Sequence, residues 1–129
     1  MDQNRDVIIS SLAFASVRKD LNPNFKHGKA IVHRDLATDP DTGMVVQHTI
    51  YERGICPPKH RHTCGHGMYV LSGTLFTDGG IYGPGCFLWW PAGTWMVHGA
   101  TDREDVEVLF ITNGPFDLEF EDPSFLPEP

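Results

Sequence analysis

The chain is interrupted by turn signals too often to carry a long helix. They cluster at residues 38–43 (TDPDTG), at Asp78-Gly79-Gly80, Gly83-Pro84-Gly85 and Pro91-Ala92-Gly93, and at Asn113-Gly114-Pro115. Glycine supplies backbone angles closed to other residues and proline fixes φ, so each cluster turns the chain. Short apolar runs lie between them. Residues 30–36 predict an edge strand burying Ile31, Val32 and Leu36. Residues 44–51 alternate, with Val46, His48 and Ile50 on one face and Val45, Gln47, Thr49 and Tyr51 on the other. Residues 69–76 predict a strand bent at Gly73, and 87–90, 95–99 and 107–112 predict three more. Residues 116–120 alternate Phe116, Leu118 and Phe120, residues 21–27 read as loop, and Val7–Ile9 fits either a short strand or a frayed turn. Roughly six to nine short strands, with turns about every 8–12 residues, make an all-β sandwich or barrel.

At 129 residues the chain is expected to form one domain with a core of its own. The barrel core is expected at about 40–120, behind an N-terminal arm (1–36) that adds edge strands and before a proline-rich tail (121–129) packed through Phe125 or Leu126. The net charge is −7, and the ten basic residues are scattered. Nucleic acid and anionic membranes need a basic face, so neither is an expected partner. No apolar run approaches the ~18 residues of a membrane span. The first twenty residues lack the apolar stretch and cleavage site of a secretory signal, and the three cysteines (Cys56, Cys64, Cys86) have no framework spacing. Reduced thiols and a cytoplasmic location are the expectation.

Chemistry concentrates in GICPPKHRHTCGHGMYVLSG (54–73), answered by GCFLWWPAGTWMVH (85–98). Three of the seven histidines, His60, His62 and His66, fall in the first stretch, and His98 ends the second. On a strand His60 and His62 point the same way, about 7 Å apart along the chain. Two neutral imidazoles so placed can converge on one metal ion at about 2.0–2.1 Å. Cys64 shares the parity of His62, but closed zinc sites usually use paired cysteines at C-x2–4-C spacing, and these are absent. His66, between Gly65 and Gly67, is open to a loop reading. His27 and His33, in loop or edge contexts, are expected to be solvated, and Arg61, alternating away from the histidines, is expected outside.

The spacing Gly54-x5-His60-x-His62-x3-His66-x6-Gly73 resembles the first cupin motif, and Gly85-x5-Pro91-x-Gly93 resembles the opening of the second. The resemblance implies a conical jelly-roll barrel (RmlC-like), usually dimeric, with one metal inside its mouth on three histidines and a glutamate. Two positions depart from that pattern. His66 stands where glutamate is usual. Met96 stands where the second-motif histidine is usual, with His98 one pleat further along the same face. Thioether sulfur is a poor ligand for Zn or Fe(II), so His98 is expected as the fourth ligand beside His60, His62 and His66.

An all-imidazole shell leaves the full +2 charge of the ion uncompensated. It favours an anionic, oxygen-chelating ligand and a metal such as Fe(II), Zn, Ni, Cu or Co over Mg or Ca. Among cupins the stretches HRHTCGHGMYVLSGTL and EVLFITNGPFDL resemble the small all-histidine dioxygenases that cleave diketones and hydroxylated acetophenones. That likeness implies Fe(II), O2 and a small enolisable or phenolic substrate, with Zn or Ni as alternatives. The same shell resembles the cupin-like domain of zinc-binding anti-sigma factors, which senses rather than catalyses, and a redox-neutral isomerase or lyase would use it too. Tyr69, Phe76, Trp95, Met96 and His48 are assigned to the pocket wall, although a satisfied core or surface histidine is the better reading of His48. A homodimer formed through edge strands and the tail completes the expectation.

Overall fold

A computed structural model describes residues 6–20, 29–122 and 124. Eleven strands follow in order: β1 (Val17–Asp20), β2 (Ile31–Thr38), β3 (Val45–Tyr51), β4 (His60–Arg61), β5 (His66–Ser72), β6 (Leu75–Thr77), β7 (Gly80–Tyr82), β8 (Phe87–Trp90), β9 (His98–Ala100), β10 (Val106–Thr112) and β11 (Glu119–Phe120). All pairings are antiparallel, and none of the described residues is helical.

One layer is a six-stranded sheet ordered β1-β2-β3-β10-β5-β8. The facing layer is made of smaller pieces, β7-β6-β9 and β4-β11. Met96, just before β9, bridges His60 in β4 through paired backbone bonds of 2.9 and 3.0 Å, which ties the two pieces together. The result is a two-layered jelly roll, the all-β architecture expected from the spacing of turns.

Alternation decides what faces inward. On β5, His66, Met68 and Val70 are buried while Tyr69 and Leu71 are each 41% exposed. On β10, Val106, Val108, Phe110 and Thr112 are buried between half-buried neighbours. Between the layers, Met68, Val70, Leu75, Ala100, Val106 and Val108 pack into an apolar core. The register puts Phe110 opposite both Gln47 and Met68, and Thr112 opposite His66. One end of the interior is therefore hydrocarbon and the other is polar, and the histidines occupy the polar end.

Several boundaries differ from the sequence reading. Val7–Ile9 is not a strand, and the edge of the large sheet is instead β1, paired with β2 from Val17↔Arg34 to Asp20↔Ile31. Residues 30–36 were expected at an edge, but β2 is interior because β1 covers it. The strand expected at 95–99 is instead β9 at His98–Ala100, and 116–120 shortens to β11. The expected loop at 21–27, with His27, and the packing of Phe125 or Leu126 lie outside the described residues. Among the described residues no helix is long and apolar enough to cross a membrane.

Gly73 does make the bend after β5. Its φ is +74°, and a Cβ there would stand 2.1 Å from the Asp105 carbonyl oxygen. Only glycine fits a left-handed position with another backbone pressed against it.

Candidate metal centre

His60 and His62 reach the interior from β4 and the residue after it, with Pro57 and Pro58 limiting the approach to extended geometry. They are each 3% exposed. The Pro58 carbonyl can only accept, so the 2.9 Å contact from His60 Nδ1 places that ring's proton on Nδ1 and leaves the Nε2 lone pair free. His98 opens β9, opposite Thr77, and is also 3% exposed. Its Nε2 lies 3.3 Å from His60 Nε2, and its Nδ1 lies 3.3 Å from the Tyr51 hydroxyl. When the Tyr51 hydroxyl accepts from Nδ1–H, the His98 Nε2 lone pair is the one turned toward His60. One nitrogen from each of His60, His62 and His98 can be chosen so that all lie within 4.8 Å of one another.

These nitrogens fit a shared cation. Two nitrogens about 2.0–2.1 Å from one ion stand about 2.9 Å apart at a right angle and about 3.4 Å apart at a tetrahedral one. The observed 3.3 Å lies inside that range. Both ring nitrogens of His62 and both of His66 are buried and make no hydrogen bond among the described residues. A buried polar atom left unpaired costs about 1–3 kcal/mol, so four in one cluster point to a ligand not made of protein hydrogen bonds. Burial also keeps the rings neutral. It brings His62 to about 4 and His66 to about 3, with neighbouring histidines adding to the effect, and it holds His60 below and His98 well below the usual imidazole value. Neutral imidazole is the ligating form.

His66 starts β5 and is fully buried, so the loop reading does not hold. Its ring centroid is 4.1 Å from that of His62 and 5.6 Å from that of His98, and it stacks on Trp90 at 5.0 Å with 15° between the planes. The glycines flanking it have a packing cause. A Cβ at Gly65 would meet Trp89 at 2.6 Å, and one at Gly67 would meet Phe87 at 2.7 Å, so these rings need bare backbone beneath them.

The structure thus brings His60, His62 and His98 into one group of possible ligand atoms, with the His66 ring packed beside His62 but outside that group. His98 is beside His60, whereas Met96, 1% exposed, is paired with His60 through its backbone. Cys64 is buried but lies outside the grouped ligand atoms, and Cys56, Cys64 and Cys86 are free thiols.

The cavity at the cluster has a volume of about 80 Å³. At about 10–15 Å³ per water, this is room for on the order of six waters. His60, His62 and His98 line one part; Asp20, His33, Gln47, Thr49, Tyr51 and Phe110 come from the large sheet, and Phe116, Leu118 and Phe120 from the segment after it. None of the five residues assigned to the wall from sequence lines it. Tyr69 and Phe76 alternate outward and are 41% and 38% exposed. Trp95 lies under the Arg61 guanidinium, whose Cζ is 4.6 Å from the ring centroid, while Arg61 also reaches Glu119 at 3.1 Å near the surface. His48 faces the opposite side of β3, where its Nε2 meets Glu107 Oε2 at 2.5 Å. Met96 is buried away from the cavity lining.

The residues missed are those of β2, β3 and the segment after β10. The two faces of 45–51 were visible as alternation. Which face was inner depended on β3 pairing with β10, a contact between distant residues. His33, expected in solvent, stands opposite Thr49 and lines the cavity because β1 covers β2.

No curated protein sequence matches the chain. A candidate acetylacetone dioxygenase from Methylibium petroleiphilum PM1 superposes with a TM-score of 0.73 at 14% identity, over 100% of this chain and 90% of that one. An RmlC-like cupin protein from Ralstonia eutropha JMP134 gives 0.72 at 16% identity, over 98% and 78%. The anti-sigma factor ChrR, in a complex with SigE of Rhodobacter sphaeroides, gives 0.61 at 18% identity, over 79% of this chain and 51% of that one. These likenesses establish the cupin jelly roll. The profile of the ChrR cupin-like domain matches residues 22–117, most of the chain, and the protein belongs to that family.

Proposed function

We propose that this protein is a mononuclear metal-dependent cupin dioxygenase that cleaves a C–C bond of a small enolisable or phenolic, oxygen-chelating substrate. The carrying observation is a small cavity, apolar on one side, that opens directly onto a cluster of neutral histidines. His60, His62 and His98 are the proposed metal ligands, with His66 as the fourth, and Fe(II) is the proposed metal, with Zn or Ni as alternatives. The similarity to a candidate acetylacetone dioxygenase supports the reaction class.

A metal held by these histidines would supply Lewis acidity toward the substrate oxygens and redox access to O2. The chain's own residues do the rest. Pro58 and Tyr51 orient His60 and His98 through their Nδ1 atoms. Four neutral imidazoles add no negative charge, so an enolate is drawn in as the counter-charge. Phe110, Phe116 and Phe120 shed water from its hydrocarbon part. In such a cleavage both oxygen atoms of O2 enter the two fragments, and no external reductant is consumed.

Oxygen uptake by the iron-loaded protein against a panel of β-diketones and hydroxylated acetophenones tests this. Stoichiometric, metal-dependent uptake is expected. An iron-loaded protein inert to the whole panel would contradict it. A second reading, a sensor that binds metal without catalysis, is favoured by membership of the ChrR family and by a fourth histidine at the cluster. It predicts that no coordination position is open to an added ligand. A homodimer in the cytoplasm, built on the outer face of the large sheet, completes the proposal. Tyr69, Leu71, Phe87 and Trp89 leave 41%, 41%, 54% and 44% of their surfaces exposed there.

A further inference from the structure

The cavity also carries polar residues that do not touch the histidine cluster: Tyr51 contacts His98, but His33 and Gln47 do not. On β2, His33 is fixed by a 3.2 Å contact between its Nδ1 and Thr49 Oγ1, and Thr49 is only 1% exposed. On β3, Gln47 is fixed from the other side. Its Nε2 donates to Asp35 Oδ1 at 3.0 Å, and Arg18 holds that carboxylate through bonds of 2.9 and 3.0 Å. Gln47 is therefore oriented with one amide N–H used, leaving its second N–H and its Oε1 without a hydrogen bond among the described residues. His33 is in the same position, with Nδ1 engaged and Nε2 making no hydrogen bond among the described residues. Burial, with the charge of Arg18 as the second cause, brings His33 to about 4. Its ring is neutral at ordinary pH and offers one donor and one acceptor.

The setting says what these atoms would meet. Asp20, His33, Gln47, Phe116 and Leu118 border the cavity and also a surface groove that Arg18 and Lys19 flank. A ligand entering by this groove passes Lys19, the Arg18–Asp35 pair and Asp20, and reaches His33 and Gln47 before the histidine cluster.

We propose that His33 and Gln47 form a second polar contact point in this cavity, so that the preferred ligand is a short-chain anion with oxygen at both ends. One end is a carboxylate or enolate that would bind a metal held by His60, His62 and His98. The other is a carbonyl or hydroxyl oxygen that meets His33, with the intervening carbons against Phe110 and Phe116. A 2,4-dioxo acid has this pattern, and a 2-oxo acid of the same length lacks the far oxygen. His33 is a positioning residue in this scheme. The proposal rests on the metal-centre reading and adds a ligand class to it.

The test uses full-length protein loaded with Co(II), whose visible spectrum reports on ligand binding without turnover. The probes are 2,4-dioxopentanoate and 2-oxopentanoate, each titrated into wild type, His33→Ala, His33→Asn and Gln47→Leu. Wild type is expected to prefer the dioxo acid by more than tenfold. His33→Ala removes most of that preference, leaving the cobalt content and the affinity for 2-oxopentanoate within about twofold of wild type. His33→Asn, which keeps a donor and an acceptor in place, retains part of the preference, and Gln47→Leu moves in the same direction as His33→Ala. An unchanged preference in both His33→Ala and Gln47→Leu overturns the proposal, and so does a parallel weakening of both probes. A wild-type protein that takes up no cobalt removes the metal-centre reading itself, a failure distinct from the other two.

Discussion

Single residues in this protein do work that depends on being buried. His62 and His66 take no protein hydrogen bond, and burial brings them to about 4 and 3. In an unfolded chain each would titrate near 6.5. Below that value the unfolded state binds protons that the folded state refuses, so stability falls as pH drops and is indifferent to these groups above it. Chelator-treated protein should therefore lose denaturant midpoint steadily from about pH 6.5 down to about pH 4. A midpoint flat across that window would mean the rings are protonated and solvated in the fold. His33 shows how such a role escapes a sequence reading. Nothing in IVHRDL distinguishes a solvated edge histidine from one facing a cavity. The difference is made by β1, contributed by VRKD, a stretch with little apolar pattern of its own.

At the scale of elements, strands and turns were legible where alternation and glycine acted locally. The alternation in 44–51, the bend at Gly73 and the runs at 87–90 and 107–112 all correspond to structure. β1 was not legible because it is stabilised by pairing, not by its own sequence. Nor was the orientation of Tyr69, Phe76 and Trp95, because large aromatics look alike in sequence whether they face the core or the solvent. The same elements set the energetics. Gly73→Ala forces a side chain onto the Asp105 carbonyl at a left-handed φ and should cost about 2–4 kcal/mol. Leu75, fully buried in the core of the second layer, should cost about 2–5 kcal/mol as Leu75→Ala. Urea unfolding checks both. A loss below about 1 kcal/mol in either would mean the bend or the core is less tightly packed than described.

For the molecule as a whole, the two layers divide its surface and interior unequally. The smaller pieces and the large sheet enclose an apolar end and a histidine end, while the outer face of the large sheet keeps aromatic and aliphatic residues in solvent. Side chains of this size bring about 150–250 Å² each, so the exposed parts of Tyr69, Leu71, Phe87 and Trp89 sum to a patch on the order of 300 Å², enough to mark an interaction surface. The proposed occupant is a second copy, since −7 of net charge per chain disfavours self-association except through an uncharged patch. Light scattering should report a dimer that Leu71→Glu with Trp89→Glu converts to a monomer with its metal content intact. A wild-type monomer at micromolar concentration would rule that face out.

The histidine spacing, legible from the first reading, and the layers that bring β4 to β9 together make the central claim, a single metal on His60, His62 and His98. The most direct test is elemental analysis of untagged protein purified without chelating resin and then offered Fe(II), Zn(II) and Ni(II) in turn. About one transition-metal ion per chain is expected, falling to near zero in His60→Ala and His98→Ala. A folded wild-type protein that remains empty after all three metals would contradict it.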